Sequence, residues 1–138
     1  LEGMKALYDQ GYLLAIATNQ SGIGRGLYTY QDMFDVHEFM YKEMLNKGFA
    51  LALIAYCEHD PSFGCNCRKP KTGMLDVLIR SFSIDVSISY MVGDNEKDVM
   101  AGRSAGLHTI ILGKQSPFAD HTCKNLYGAS QLILGVKP

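Results

Sequence analysis

The chain has 138 residues, 47% hydrophobic and 20% charged, with a formal net charge of −1. That is enough chain for one domain with its own core, and the near-neutral balance argues against a nucleic-acid partner or an anionic membrane surface. No apolar run approaches the roughly 20 residues that span a bilayer, and no basic-then-apolar leader is visible, so the expected location is cytoplasmic, where thiols stay reduced.

The sequence starts at Leu1 with helical spacing already running, which reads as a piece of a longer protein. Leu1, Met4, Leu7 and Tyr8 share one helical face, and Gly11 supplies the stop. Tyr12 to Ala17 is a continuous apolar run, as in a doubly covered parallel strand. Thr18-Asn19-Gln20 closes it. Ser21 to Tyr28 holds three glycines and reads as a loop. Thr29 with Asp32 predicts an N-cap. Met33, Val36, His37, Met40, Tyr41 and Met44 give the following helix an apolar stripe, and Gly48 follows it.

The alternation continues. Leu51 to Tyr56 is a second strand. A Cys/His loop follows, then a helix from about Gly73 to Phe82 that faces Leu75, Leu78, Ile79 and Phe82 inward. Ile88 to Val92 is a third strand ending in Gly93-Asp94. Glu96 to Ala105 is a helix stopped by Gly106, and His108 to Leu112 is a fourth strand. The tail is less regular, with a short helix expected near Ser130. No repeat, low-complexity tract or linker divides residues 1–138, so a single domain is expected. Alternating strands and helices predict an α/β fold with a parallel sheet and right-handed crossovers. Such folds place their chemistry at the carboxyl ends of the strands.

Four motifs fall there. Cys57-x-His59 and Cys65-x-Cys67 form two close pairs of soft ligands, a spacing that suits tetrahedral Zn²⁺ in a closed, structural site spanning 57–67. A disulfide is the competing reading, and reduced surroundings argue against it. Thr18, before a glycine-containing loop, can present Oγ1 and backbone N–H groups to an anion; simple turn chemistry gives the same pattern. Asp94, with Asp98 four residues on, can hold Mg²⁺ directly and through water, or can serve as helix capping. Arg68 and Lys69 can neutralise a phosphate, or form a solvated basic turn. Cys123 has no partner pattern. His37 belongs to an apolar stripe, and His108 and His121 carry no signal. Hydroxyl, cation and carboxylate in this order are the equipment of phosphoryl transfer.

With TNQSGIGRG at 18–26, CEHDPSFGCNCRKPKTGML at 57–75 and YMVGDNEKDVMAG at 90–102, the chain resembles the haloacid dehalogenase (HAD) superfamily of Asp-nucleophile phosphatases. The likeness runs from residue 1 to about 113 and is nearest to its heptose-bisphosphate phosphatase family. The related histidinol-phosphate phosphatases share the zinc loop and CRKP but differ after TNQ.

The resemblance implies a Rossmann-like HAD fold without a large cap. Thr18 and Lys69 would stabilise the transferring phosphoryl group. Asn19, Gln20, Ser21, Arg68 and Asn95 would contact substrate. Asp94 would bind catalytic Mg²⁺, with Asp98 in its outer shell. Cys57, His59, Cys65 and Cys67 would bind structural Zn²⁺. Asn95 stands where the family has a lysine. The implied activity is hydrolysis of the 7-phosphate of D-glycero-D-manno-heptose 1,7-bisphosphate, toward ADP-heptose and lipopolysaccharide core. The substrate would be a small sugar phosphate, and the full-length protein a monomer. Histidinol-phosphate hydrolysis and a non-catalytic zinc-bearing binding module are the alternatives.

No Asp-x-Asp pair occurs in the sequence. The family's nucleophile and general acid/base are expected upstream of Leu1, on a central strand between those ending at Thr18 and Asp94. Residues 1–138 without that strand are expected to be inactive and poorly stable.

Overall fold

The computed structural model describes residues 1–136. Helix α1 (Glu2–Asp9) leads into strand β1 (Ala15–Asn19), and the one-turn helix α2 (Ser21–Gly24) precedes the long helix α3 (Tyr30–Asn46). Strand β2 (Leu53–Cys57), helix α4 (Gly73–Ser81), strand β3 (Tyr90–Gly93), helix α5 (Glu96–Ser104) and strand β4 (His108–Leu112) follow. Strand β5 (His121–Cys123) and helix α6 (Leu126–Ile133) complete the order.

All strand pairings are parallel. In one sheet β1 pairs with β2, with Ala15 opposite Leu53 and Asn19 opposite Cys57. In the other, β4 lies between β3 and β5. Side-chain alternation along β1 and β2 sorts two cores. Ile16 and Ile54 face Met40, Tyr41, Met44 and Phe49 on the α3 side. Ala15, Ala17, Leu53 and Ala55 face Leu75 and Leu78 of α4 and reach Ala101 and Met91 across the gap to β3. One core therefore spans both sheets, although no ladder joins β1 to β3 among the described residues. All of β1 and all of β3 stay partly exposed, unlike central strands of a filled parallel sheet.

The long helices end as their sequences dictate. The Thr29 hydroxyl accepts from the Asp32 N–H, and the Asp32 carboxylate accepts from the Thr29 N–H, a full capping box. Asn95 and Asp98 cap α5 in the same way.

Several boundaries differ from expectation. The first strand starts at Ala15 rather than Tyr12, because the Tyr12 N–H is spent on Leu7 O at the end of α1. It continues through Thr18 and Asn19, which pair with Tyr56 and Cys57. Ser21–Gly24 is a helical turn rather than loop. Ile88 is 65% exposed and belongs to a single 3₁₀ turn capped by Asp85, so β3 begins only at Tyr90. Val36 is 58% exposed, off the buried line of Met33, His37 and Met44. Strand β5 carries no alternating pattern. It is held beside β4 because Thr109 N–H donates to Asp120 Oδ2 at 2.9 Å and Asp120 N–H donates to Thr109 Oγ1 at 3.0 Å.

Candidate active site and metal loop

The carboxyl ends of β1, β2 and β3 carry the expected polar residues, and the loop after β2 ties them together. Asn19, the last residue of β1, accepts the Lys69 N–H on Oδ1 at 3.0 Å and offers Nδ2 to Lys69 O at 3.4 Å. Its amide is spent on clamping the backbone at Lys69. The Lys69 side chain then crosses the gap between the sheets. Its Nζ donates to Ala17 O on β1 at 2.8 Å and to Asp98 Oδ1 on α5 at 2.6 Å.

Asp98 has two tasks. Oδ1 takes the Lys69 ammonium, and Oδ2 accepts the Asn95 N–H at 3.1 Å. Gly93 makes room for it: a Cβ there would lie 2.4 Å from both Asp98 Cβ and Oδ2. Asn95 uses its side-chain oxygen on the Lys97 N–H at 3.0 Å, so it is set as a helix cap. Asp94, at the tip of β3, is exposed, and its carboxylate has no hydrogen-bond partner among the described residues. A hard cation seeks such oxygen ligands.

On the other side of β1, Thr18 Oγ1 accepts from Gln20 Nε2 at 3.0 Å, and Gln20 Oε1 accepts from Tyr28 Oη at 2.5 Å. These three residues line a cavity of about 330 Å³ with Ile16, Met33 and His37. Burial pushes the His37 pKa below its ordinary value. Ser21 begins α2, whose Gly24 N–H bonds Glu58 O at 2.9 Å, so the turn after β1 leans on the loop after β2.

That loop gathers Cys57, His59, Cys65 and Cys67, whose ligand atoms all lie within 4.8 Å of one another. A tetrahedral ion with metal–sulfur bonds of about 2.3 Å and metal–nitrogen bonds of about 2.0 Å separates its donors by roughly 3.5 Å. Cys57 Sγ lies 3.5 Å from both His59 Nδ1 and Cys65 Sγ, and His59 Nδ1 lies 3.2 Å from Cys67 Sγ. Only Cys57 and Cys67 stand closer, at 2.7 Å. No disulfide links the four cysteines of the chain.

The thiols compete for one negative charge. Burial opposes ionisation of Cys65, but the Arg68 N–H and the Cys57 and Cys67 thiols together bring its pKa down to about 6. Burial and the hydrogen bonds with Cys57 and Cys65 push Cys67 up to about 12, and burial raises Cys57. Ionising all three needs a cation among them, so the donor set fits a metal. The Phe63 ring stacks on His59 with centroids 4.7 Å apart and planes 10° from parallel.

Arg68 follows Cys67 directly. Its Nη1 is buried and has no hydrogen-bond partner among the described residues. Asp60 lies near both Arg68 and Arg25, which adds to the hydrogen bonds from Ser62 in lowering its pKa.

A HAD-hydrolase-like family model matches residues 66–123. The chain is 40% identical over 119 residues to D-glycero-beta-D-manno-heptose-1,7-bisphosphate 7-phosphatase of Haemophilus ducreyi, covering 80% of this chain and 65% of that protein. It is 39% identical to the enzyme of the same name from Helicobacter pylori, covering 91% of this chain and 75% of the relative. The chain belongs to the heptose-bisphosphate phosphatase family.

A solved family member, D,D-heptose 1,7-bisphosphate phosphatase from B. bronchiseptica complexed with magnesium and phosphate, superposes with a TM-score of 0.91 at 26% identity. The match covers 99% of this chain and 82% of that one. The chain spans about two thirds to four fifths of the lengths of these relatives. The fold is thus the Rossmann-like HAD fold of the heptose-bisphosphate phosphatase family. No described helix is long and apolar enough to cross a membrane.

The structure brings Asn19, Lys69, Asp98 and Asn95 into one bonded chain and holds Thr18, Gln20 and Tyr28 in another. Tyr28 escapes a sequence reading. It ends a glycine-rich stretch that looks like plain loop, and only its contact with Gln20 shows its place.

Proposed function

We propose that this chain carries the phosphate-handling face of a Mg²⁺-dependent phosphatase that removes the 7-phosphate of D-glycero-D-manno-heptose 1,7-bisphosphate. The observation that carries the reading is Lys69 Nζ, placed between Ala17 O and Asp98 Oδ1 where the carboxyl ends of the two sheets approach. One ammonium there, next along β1 to the Thr18 hydroxyl, faces the place where an anion gains most.

In this reading Thr18 donates its hydroxyl proton to a phosphoryl oxygen, and Lys69 neutralises the charge. Ser21 and Arg68 meet the rest of the substrate, and the buried, unpartnered Arg68 Nη1 supports an anionic partner there. Asn19 and Gln20 act through Lys69 and Thr18. Asp94 holds Mg²⁺, which when bound supplies Lewis-acid stabilisation of phosphoryl oxygens. Asp98 keeps Lys69 aimed and stands behind Asp94, and Asn95 borders the substrate while capping α5. The covalent step requires a carboxylate nucleophile of the family's Asp-x-Asp type, and residues 1–138 contain no such pair. These residues alone are therefore inactive.

Cys57, His59, Cys65 and Cys67 hold Zn²⁺ in a closed structural site. Because Cys67 is bonded to Arg68, fixing the metal loop fixes both cations. The reading places residues 1–138 in a single domain of a cytoplasmic enzyme, monomeric when full length, that takes a small soluble sugar phosphate. The names of the relatives favour heptose bisphosphate over histidinol phosphate. The test is turnover by the full-length enzyme on both substrates. Preference for heptose 1,7-bisphosphate, abolished by Lys69→Met, is expected. Equal or better turnover of histidinol phosphate would overturn the assignment.

A further inference from the structure

Two hydrogen bonds in a row set the direction of every proton between Tyr28 and Thr18. The Tyr28 Oη to Gln20 Oε1 distance is 2.5 Å, and the Gln20 Nε2 to Thr18 Oγ1 distance is 3.0 Å. The first length suits O–H···O, and the second suits N–H···O. An amide has an acceptor end and a donor end, so its orientation is the decisive choice. As placed, Tyr28 gives its proton to Gln20, and Gln20 gives one to Thr18. The Thr18 hydroxyl proton is then in no hydrogen bond among the described residues. With the amide reversed, Gln20 Oε1 would face Thr18 and take that proton.

The phenol is what selects between the two. Its ring is seated on α2: a Cβ at Gly22 would fall 2.0 Å from Tyr28 Cε1, so the glycine is the bed on which the ring lies. Gly22 is buried, and Tyr28 is half-buried in the wall of the cavity that Thr18 and Gln20 share.

We infer that Tyr28 is a positioning residue for anion binding: through Gln20 it holds Thr18 as a hydrogen-bond donor toward a phosphoryl oxygen. The inference rests on the phosphatase reading above. Removing the phenolic hydroxyl frees the amide to turn, and Thr18 then spends its proton on Gln20 Oε1 instead of on the anion.

The probe is inorganic phosphate, titrated against the full-length enzyme and followed by ³¹P NMR at neutral pH. Circular dichroism checks that each variant is folded; Tyr28→Phe keeps the ring on Gly22. Tyr28→Phe and Thr18→Val are each expected to weaken phosphate binding roughly tenfold, the loss of one hydrogen bond to a charged group. The double variant is expected to be no weaker than Thr18→Val alone, because both changes remove the same proton. A purely structural role for Tyr28 gives losses that multiply, and that result overturns the inference. Wild-type binding that Tyr28→Phe leaves unchanged also overturns it, while the phosphatase reading stands. A wild-type full-length enzyme with no affinity for phosphate overturns both.

Discussion

Lys69 Nζ lies 2.6 Å from Asp98 Oδ1, and the two side chains are only 11% and 12% exposed. A pair so placed is costly to break from one side, because the survivor is left charged and buried. Asp98→Leu alone is expected to lower stability by roughly 3–5 kcal/mol. Lys69→Met with Asp98→Leu is expected to recover most of that loss, since no buried charge remains. Urea denaturation of the single and double variants checks this. Equal losses in both would mean that the pair is not what stabilises the junction.

Gly93 makes a separate test of the same junction. A methyl group at Gly93 would sit 2.4 Å from Asp98 Oδ2, and Asp98 cannot yield without releasing Lys69 and the Asn95 N–H. Gly93→Ala is expected to destabilise by about 1–3 kcal/mol, in the range of an overpacked core site. Gly128 is the control. It lies in α6, and its nearest added contact would be 3.5 Å. Gly128→Ala is expected to stabilise by about 0.5–1 kcal/mol through helix propensity. Paired thermal melts would show opposite signs.

How much of this was legible beforehand depends on the kind of signal. The clustering of Cys57, His59, Cys65 and Cys67 was readable because their spacing is local and their chemistry narrow. Thr29 and Asp32 announced a helix start for the same reason. Lys69 and Asp98, 29 residues apart, were each visible as charged residues near strand ends, but their pairing is a tertiary fact. Asn19 illustrates the limit further. It reads as a substrate contact from its motif, and no local signal announces that its amide also meets the Lys69 backbone 50 residues away. Strand β5 was missed because three residues carry no period, and it is fixed by Thr109 and Asp120 instead.

His37 gives the fold an acid-sensitive point. It is 7% exposed, among the rings of Phe34 and Tyr56 and on the same cavity wall as Asp32. Burial lowers its folded pKa, so the unfolded chain binds the proton more readily. The associated stability is intact above the unfolded value of about 6.5 and declines as pH falls through it toward the lower folded value. His37→Leu is expected to flatten stability against pH in that window. Urea midpoints from pH 8 to pH 5 measure it, and an unchanged slope would contradict the assignment to His37.

The unladdered edges of β1 and β3 bear on behaviour in solution. Each presents backbone N–H and C=O groups toward a gap that Lys69 crosses with one side chain. Open parallel edges recruit other strands. Residues 1–138 are therefore expected to self-associate at micromolar concentration and to melt over a broad range. Sedimentation velocity and calorimetry are the measurements. A sharply melting monomer would show that the two sheets need no strand between them.

The proposed zinc site gives a place where the link between fold and chemistry can be tested. A closed four-ligand site takes no part in bond making, so its removal acts through order. Cys67 is bonded to Arg68, and Lys69 is next, with its backbone held by Asn19. Losing the metal leaves three thiols that share one easily lost proton, with Cys65 ionising at about 6 and Cys67 only at about 12. The strongest cross-link in the loop is then gone, and what remains is hydrogen bonds: the Asn19 clamp, Gln20 N–H to Cys57 O at 2.7 Å, Gly24 N–H to Glu58 O at 2.9 Å, Lys71 Nζ to Cys65 O at 2.8 Å and Gly73 N–H to Asn66 O at 3.0 Å. Chelation or Cys65→Ser is expected to remove one metal ion per chain, lower the melting temperature and weaken phosphate binding through Arg68 and Lys69. Elemental analysis, melting curves and phosphate titration on the same samples check the three parts. Phosphate affinity that survives complete metal loss, with the fold intact, would show that the loop's hydrogen bonds are enough to aim the cations without the metal.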